Sequence, residues 1–353
     1  MSLFLILAFY YKLYFIQLNN NGISYYQVQK HVPRPKLFFN GSFVKNFSSS
    51  FWPFIIDNFI GSFLKVSIEL TVFYKSNDRF LGNRVTKGRS GFYFYTNRGD
   101  GDNLKDFLKQ NLVSPQQLEK AATKVKCIMD ICSYLRIPFL LLTGPNKHSV
   151  YSEFFPFERP PGITRADQLS QIFQKINVTY IYPRDYLILL KKNNTFPFYY
   201  ETDTHWNSLG AYYVSFLVIR KIKEFFPKIS FPEINYSITA KLVRGNGDII
   251  GMTPLIKRNN TWCTIVSVTP QNGPNITKIV NGRNFKTAVN DHSLPKALIF
   301  RDSFFTALEP FTSPLFSQAE YIWNKIDINY LKKVKPDLLI FEMVERYSPY
   351  YFS

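Results

Sequence analysis

Cysteine and histidine are scarce, since the 353-residue chain contains only 3 Cys and 4 His. Three cysteines are too few for a disulfide framework or a four-ligand zinc site. The histidines include no close pair, which argues against a histidine-rich metal centre. The sequence therefore predicts buried free thiols at Cys127, Cys132 and Cys263, and neither a metal nor another cofactor.

Acidic residues are also few: 25 Asp and Glu stand against 43 Lys and Arg, and the formal net charge is +18. Such a surplus favours polyanionic partners, namely nucleic acid, anionic lipid or an acidic polysaccharide. A generally basic surface accounts for it equally well. The basic residues are scattered, and no zinc-finger, ribonucleoprotein or basic-zipper pattern is present, so nucleic acid is not the predicted partner.

The apolar segment at the N-terminus, MSLFLILAFYYKLYFIQ, is shorter than the ~20 residues of a membrane-spanning helix. It also lacks a basic start and a small-residue cleavage site. A truncated signal sequence, a short membrane anchor and a buried helix all remain open. We interpret residues 1–22 as an export signal or anchor with its linker, and residues 23–83 as a helical segment packed onto the main domain.

Hydrophobic residues make up 46% of the chain and aromatic residues 18%, which is ample for a large core. From residue 84 onward, VTKGRSGFYFY predicts a hairpin. Ser114 and Gln117 form a capping box for a helix that ends near Tyr134. The apolar run IPFLLLTGP predicts a buried strand, RADQLSQIFQKI (165–176) an amphipathic helix, and VTYIYPRDYL a strand followed by a loop.

The second half repeats this alternation. A helix follows TDTHWN, with Asn207 or Ser208 as its N-cap. Residues 228–293 are predicted to be an irregular insertion of short strands and loops, and KALIFRDS and KPDLLIFEMVER are predicted strands. Helices that alternate with apolar strands indicate an α/β fold over residues 84–353, with a mostly parallel sheet and helices on both faces.

Open α/β sheets bind ligands at the carboxyl ends of their strands, and reactive side chains fall at these places. Ser303 follows one strand, but a serine hydroxyl is a nucleophile only with a base in hydrogen-bond reach. His205 fits the base, and Asp203, two residues before it in an extended segment, fits the orienting acid. The backbone N–H groups of Ser303 and Phe304 are predicted oxyanion donors. Local capping roles for both motifs remain open.

Several segments together resemble a known family. TDTHWN, RDSF and KPDLLIFEMVER are similar to motifs of the SGNH-hydrolase-like domain of the alginate O-acetyltransferase family (AlgX/AlgJ type, or DHHW proteins). GRSGFYFY, PNKHSVYSEFFP, RADQL, FYYETDTHWNSLGAY and GNGDIIGM agree in the same order, from about residue 33 to the C-terminus. The resemblance implies a flavodoxin-like SGNH fold with Ser303 as nucleophile, His205 as base and Asp203 as acid.

The same resemblance implies a function. The expected activity is O-acetyl transfer to a cell-envelope or secreted polysaccharide, with an anionic, alginate-like polymer as one candidate, in the periplasm or another extracytoplasmic space. It also implies a membrane-bound O-acyltransferase partner as acetyl source, and an inner-membrane anchor is consistent with the N-terminus. An esterase of the same fold and a non-catalytic glycan-binding component of an export complex are the alternatives.

Other positions carry weaker expectations. Arg301 stands where the family often has Gly, and it is expected to alter the oxyanion region or contact an acidic substrate. Arg346 is expected to bind a carboxylate or an oxyanion, or to pair with Glu342 or Glu345. Lys147 and His148 are expected to have a structural role or to position the substrate. Three aromatic residues are expected either to line a platform for a sugar ring or to pack in the core: Tyr199, Tyr200 and Trp206.

Overall fold

The computed structural model describes residues 80–81, 84–97, 101–244, 247–253 and 262–351, all within one compact unit, Asn77–Ser353. The predictions for residues 1–22, and for residues 23–83 up to residue 79, lie outside this range. The described strands are β1 Phe80–Leu81, β2 Val85–Lys87, β3 Tyr93–Tyr95, β4 Phe139–Gly144, β5 Tyr180–Ile181, β6 Tyr236–Arg244, β7 Trp262–Pro270, β8 Ile276–Asn281, β9 Asn284–Val289, β10 Lys296–Phe300, β11 Gln318–Ile322 and β12 Leu338–Val344.

The described helices are α1 Asn103–Phe107, α2 Pro115–Tyr134, α3 Lys147–Val150, α4 Arg165–Lys175, α5 Arg184–Lys191, α6 Ser208–Phe225, α7 Asp248–Gly251, α8 Glu309–Thr312 and α9 Ile328–Val334. The capping box of α2 is formed by Ser114 and Gln117, as predicted. Asn207 caps α6, because its side-chain oxygen accepts the N–H groups of Leu209 and Gly210.

Seven strands form the central sheet, in the order β5-β4-β12-β10-β11-β9-β8. The pairs from β5 to β11 are parallel, and β9 and β8 join antiparallel at one edge. The predicted mostly parallel sheet is therefore confirmed. Residues 276–289, predicted to be part of an irregular insertion, instead extend this sheet, whereas β6 and β7 form a separate two-stranded ribbon.

Helices cover both faces of the sheet, as predicted. Leu140 and Leu142 of β4 belong to one buried core and Leu141 to the other, because successive side chains of a strand point to opposite faces. The first core includes residues of α6, and the second includes residues of α2, α4 and α9. Helix α5 was not predicted, because its residues follow β5 in a segment expected to be a loop.

The carboxyl ends of β4, β12 and β10 lie side by side at one edge of the sheet, since the three strands are parallel neighbours. Strand β5 follows β4 in the chain and lies on its outer side, and β11 follows β10 and lies on the opposite outer side, so the strand order reverses between them. Open α/β sheets form a ligand crevice at such a reversal of strand order. Ser303 follows β10 and Arg346 follows β12, so both residues lie at this edge.

Residues 80–81, the described end of the segment predicted to be helical, form a strand that pairs with β2. The expected hairpin of β2 and β3 is present. Among the described residues, no helix is long and apolar enough to cross a membrane.

Truncation of a leucine side chain on β4 tests how much the sheet depends on its buried leucines. Leu140 has no exposed surface, whereas Leu189 on α5 is 62% exposed. We expect Leu140→Ala to lower the free energy of unfolding by about 2–5 kcal/mol, because it leaves a cavity in the first of the two cores. Leu189→Ala should change it by less than about 0.5 kcal/mol. Urea unfolding of both variants measures the difference, and equal values would contradict the assigned core.

Candidate active site

The TDTHWN segment folds into a tight loop that projects two side chains toward the strand ends. Tyr199 and Trp206 form an isolated antiparallel bridge, and the N–H of Asn207 donates to the carbonyl of Phe198 at 2.8 Å. The bridge places Asp203 near the tip of the loop. Asn207 then caps α6, so the loop is fixed at both of its ends.

The indole of Trp206 attaches this loop to the segment after β10. Its Nε1–H donates to the carbonyl of Phe304 at 2.9 Å, and the two rings meet edge-on with centroids 5.0 Å apart. Phe304 also packs against the imidazole of His205, at 5.1 Å between centroids. Because Trp206 and Phe304 are both buried, this contact brings His205 to the residue that precedes Phe304.

Ser303, His205 and Asp203 form a hydrogen-bonded chain. His205 Nε2 lies 2.7 Å from Ser303 Oγ, and His205 Nδ1 lies 2.6 Å from Asp203 Oδ1. The side chains of His205 and Asp203 are 27% and 22% exposed, so the site is open to a substrate. This is the arrangement in which an imidazole removes the proton of a serine hydroxyl while a carboxylate orients the ring.

Electrostatics keeps Asp203 ionised. Burial alone would raise the pKa of Asp203, but the hydrogen bond and charge of His205 outweigh it. The N–H groups of Asp248 and His205 add to this effect, so the pKa of Asp203 lies well below its usual value. The carboxylate is thus available to stabilise the imidazolium that forms when His205 takes a proton.

Lys147 holds the loop from below. Its ammonium is buried and donates to the carbonyls of Tyr200, Glu201 and Asp203 at 2.9, 3.0 and 2.6 Å. Burial lowers the pKa of Lys147 to about 7, against the opposing charges of nearby carboxylates. Lys147 therefore positions the loop that carries Asp203. Of the two roles expected from the sequence, this is the structural one.

Asp302 fixes the turn that presents Ser303. Its side chain accepts the N–H of Phe304 at 2.8 Å and the N–H of Val344 at 2.7 Å, while its own N–H donates to buried Glu342 at 3.2 Å. The N–H of Phe304 is therefore engaged inside the turn. The prediction that it is an oxyanion donor does not agree with this geometry, because one carboxylate oxygen already occupies it.

Arg301 braces the same turn. Its guanidinium donates to the carbonyls of Asp302 and Arg283 at 3.0 and 2.6 Å, and to Thr306 Oγ1 at 3.0 Å. It also lies over the rings of Phe285 and Trp323, at 4.8 and 5.0 Å from their centroids. Only 5% of Arg301 is exposed, so its first role is to hold the backbone beside the nucleophile.

A cavity of about 450 Å³ opens over the ends of β10, β11 and β12. Arg301, Lys325 and Arg346 line it, as does the half-exposed ring of Tyr347. The guanidinium of Arg346 lies 5.4 Å from the centroid of Phe304, and this places the cavity next to the nucleophile turn. Its volume falls within the roughly 300–1,000 Å³ typical of small-molecule sites.

Three predicted contacts do not reach a substrate. Trp206 and His148 are 1% and 3% exposed, and Tyr199 is fully buried. Burial lowers the pKa of His148 to about 3, so its imidazole is neutral and packs against Phe107. These residues belong to the core, because their rings fill the space beneath the site. Tyr200 alone among the predicted aromatic contacts keeps an exposed portion.

Asp248 joins the site although it was not among the predicted site residues. Asp203, His205 and Asp248 carry ligand-type atoms within 4.8 Å of one another, which is the group in the described part of the chain that could hold a metal ion. Both ring nitrogens of His205 are engaged, by Asp203 and by Ser303. The arrangement is therefore that of a hydrogen-bonded triad.

The α/β sheet carries a hydrogen-bonded Ser-His-Asp arrangement at its strand ends, and this is the architecture of a hydrolase-like domain. Residues 85–278 match the family described as the SGNH hydrolase-like domain of acetyltransferase AlgX. Because this match covers more than half of the chain, the protein belongs to that family. No curated protein matches the sequence.

Solved structures share the fold. The O-acetyltransferase domain of Pseudomonas putida AlgJ superposes with a TM-score of 0.51 at 18% identity, covering 75% of this chain and 92% of that chain. Bacillus cereus PatB1 superposes with a TM-score of 0.51 at 17% identity, covering 65% and 89%. PatB1 with a sulfonyl adduct gives 0.50 at 16% identity, covering 65% and 88%.

The carboxyl pair beneath the nucleophile turn predicts a pH-dependent stability. Burial and the charge of Asp302 raise the pKa of Glu342 well above 4.5, the value for an ordinary Glu. Between these two pKa values only the folded state keeps the proton, so stability falls as pH rises through that window. Glu342→Gln keeps a donor and an acceptor but removes this loss. We expect the variant to be more stable than the wild type near pH 7.

Urea unfolding between about pH 4 and pH 8 measures this effect. The advantage of Glu342→Gln should shrink as the pH falls through 4.5, because below that value the wild-type group is protonated in both states. Glu119→Gln, an exposed change on α2, is the control and should show no such pattern. A variant that is equally destabilised at every pH would contradict the protonated state of Glu342.

Proposed function

We propose that this protein transfers acetyl groups to hydroxyls of a polysaccharide through an acyl-enzyme on Ser303. The observation that carries this proposal is the hydrogen-bonded chain from Ser303 through His205 to Asp203. Membership of an acetyltransferase family supports acetyl as the transferred group, and the similar domain of AlgJ is described as an O-acetyltransferase. Nothing in this chemistry requires a cofactor.

In the first half-reaction the acetyl donor binds beside Ser303. Ser303 Oγ attacks the acetyl carbonyl while its proton moves to His205 Nε2, and the negatively charged oxygen of the intermediate forms at the turn. The imidazolium is stabilised by Asp203 and then gives its proton to the leaving group. The products are the serine acetyl ester and the protonated donor group.

In the second half-reaction a sugar hydroxyl takes the place of that leaving group. His205 Nε2 removes its proton, the hydroxyl oxygen attacks the ester carbonyl, and the proton returns to Ser303 Oγ as the acyl bond breaks. Water in the same position would give hydrolysis instead. The cavity lined by Asp302, the residue before Ser303, favours a bulky acceptor, because it offers space for a sugar ring near the nucleophile turn.

The acceptor proposed for this cavity is an anionic polysaccharide of the cell envelope or a secreted one. Lys325 and Arg346 supply positive charge, and Tyr347, 39% exposed, supplies a flat apolar face. The chain carries a net charge of +18, which favours such a polymer at long range. We place the reaction outside the cytoplasm, in the periplasm, with a membrane-bound O-acyltransferase as acetyl source and residues 1–22 as an export signal or anchor.

Covalent labelling tests the acyl-enzyme. We expect phenylmethanesulfonyl fluoride to add its sulfonyl group to Ser303 and 4-nitrophenyl acetate to be hydrolysed, because His205 activates the hydroxyl. Ser303→Ala should abolish labelling and lower hydrolysis by at least about a thousandfold. Ser133→Ala, an exposed change on α2, should leave both unchanged. Intact-protein mass spectrometry and released nitrophenol measure the two effects.

The same assay separates transfer from hydrolysis. With 4-nitrophenyl acetate as donor and mannuronate oligomers as acceptor, a transferase should produce acetylated oligomers and less free acetate. Acetate release that the oligomer does not alter would favour an esterase. Unchanged polysaccharide acetylation in cells that carry Ser303→Ala would favour a non-catalytic glycan-binding role.

Charge removal in the cavity tests the anionic acceptor. Lys325→Ala should weaken mannuronate-oligomer binding by about two- to fivefold, as expected for one exposed ion pair. Lys223→Ala removes the same charge near the C-terminal end of α6, about 22 Å from the start of that helix, and should have no effect. Calorimetric titration measures the affinities. Equal affinity for carboxyl-reduced oligomers would contradict the anionic part of the proposal.

A further inference from the structure

Asp248 faces the same imidazole nitrogen as the acid of the triad. Its Oδ2 lies 3.6 Å from His205 Nδ1, while Asp203 Oδ1 lies at 2.6 Å from the same atom. The distance to Asp248 is longer than a hydrogen bond but within ion-pair range. His205 therefore has two carboxylates on the side opposite Ser303.

Asp248 also binds both residues that precede His205. It accepts the N–H of Thr204 at 2.7 Å and the hydroxyl of Thr204 at 2.6 Å, using one carboxylate oxygen for each. Its own N–H donates to Asp203 Oδ2 at 3.0 Å. The oxygen of Asp203 that does not contact His205 is thereby held in place, and this fixes the rotation of that carboxylate.

The turn that carries Asp248 is docked tightly against the loop. A Cβ atom on Gly247 would lie 2.3 Å from the carbonyl oxygen of Thr202 and 2.8 Å from Cβ of Asp203, so this approach requires glycine. Ile249 and Ile250, which follow in α7, are 0% and 1% exposed. Asp248 is thus carried by a buried turn, and it can act as a fixed support for the catalytic loop.

Its charge is coupled to the reaction. Burial and the charge of Asp203 raise the pKa of Asp248, whereas the hydrogen bonds of Thr204 and the charge of His205 oppose them. The other titratable group that faces it is Lys147, which also attracts its carboxylate. The ionised form of Asp248 is therefore favoured most when His205 carries the proton taken from Ser303.

We propose that Asp248 is a positioning residue for the serine reaction, which holds Asp203 and Thr204 in place and adds a second negative charge facing protonated His205. This inference rests on the proposed function, because it concerns the base of that reaction. Asp248 touches neither the nucleophile nor a substrate in this arrangement, and acts through His205.

Two substitutions separate its roles. Asp248→Asn removes the charge and keeps a side-chain oxygen for Thr204, whereas Asp248→Ala removes both. We expect phenylmethanesulfonyl fluoride labelling and 4-nitrophenyl acetate hydrolysis to fall about tenfold in the first and about a hundredfold in the second. The loss should lie in kcat rather than in KM, because Asp248 acts through His205 Nδ1, on the side of the ring opposite Ser303.

The matched control is Asp291→Asn. Asp291 also accepts a backbone N–H and a hydroxyl from one nearby residue, Ser293, at 2.9 and 2.6 Å, but it is exposed and not part of the triad. Its replacement should leave both rates unchanged. Thermal unfolding of all variants is recorded alongside, and if Asp248→Ala does not fold, Asp248→Asn decides.

The pH profile separates this role from a merely structural one. Removal of a negative charge 3.6 Å from Nδ1 makes the imidazolium less stable, so the acidic limb of kcat/KM in Asp248→Asn should move to lower pH. An unmoved limb, whether the rate falls uniformly or stays at the wild-type value, would overturn the proposal. So would a pH profile shared with Asp291→Asn.

An NMR measurement that needs no turnover distinguishes the role of Asp248 from the proposed reaction at Ser303. The chain contains 4 His, so the ¹⁵N and ¹H signals of the His205 imidazole can be assigned by Asn replacement. They should shift in Asp248→Asn and not in Asp291→Asn, even if Ser303 never reacts with an ester. Absence of labelling at Ser303 would contradict the proposed function alone, and unchanged imidazole signals would contradict the role of Asp248 alone.

Discussion

The hydrogen bond between His205 Nε2 and Ser303 Oγ joins segments that are 98 residues apart, and the rest of the site depends on it. It forms only if the loop before α6 and the turn after β10 keep a fixed separation. Buried contacts set that separation, since the indole of Trp206 donates to the carbonyl of Phe304 and the two rings pack together. The core residues beneath the site thus determine the geometry of the polar residues above them.

Buried titratable residues hold each of the two segments from within the protein. Lys147 binds three carbonyls of the loop, and Glu342 binds the N–H of Asp302 beneath the turn. A buried charge is costly unless it is paired or hydrogen-bonded, and backbone groups serve as partners here. Burial disfavours the charged forms of Lys147 and Glu342, so the pKa of Lys147 is lowered and that of Glu342 is raised. This is the electrostatic cost of fixing two connecting loops of the chain.

Features with local causes could be predicted from the sequence. The capping box of Ser114 and Gln117, the buried run of β4 and the cap at Asn207 need only neighbouring residues, and each was predicted. The Asp-x-His spacing likewise indicated a dyad, and the hydrogen-bond distances agree. Helix α5 was missed because a Pro and a short apolar run do not distinguish a loop from a helix of eight residues.

Features with tertiary causes could not be predicted in this way. Whether Trp206 faces a sugar or the core depends on what lies beyond the loop, and a sequence does not show this. The N–H of Phe304 is occupied because Asp302 folds back onto its own turn. The approach of the Gly247 backbone to Thr202 had one sequence signal, the Gly-rich segment GNGD, but that signal alone fits many turns.

Arg301 illustrates how such contacts alter the interpretation of a residue. A bulky cation in place of a small residue beside a nucleophile suggests substrate binding when only the sequence is considered. In the fold, its guanidinium donates to the carbonyls of Asp302 and Arg283 and lies against Phe285 and Trp323. A glycine could not make these contacts, so in this protein the turn is held by a side chain and the charge of Arg301 reaches the cavity only from its wall. A direct contact with the proposed anionic acceptor would therefore come from exposed Lys325, whereas Arg346, 7% exposed, acts from the cavity wall as Arg301 does.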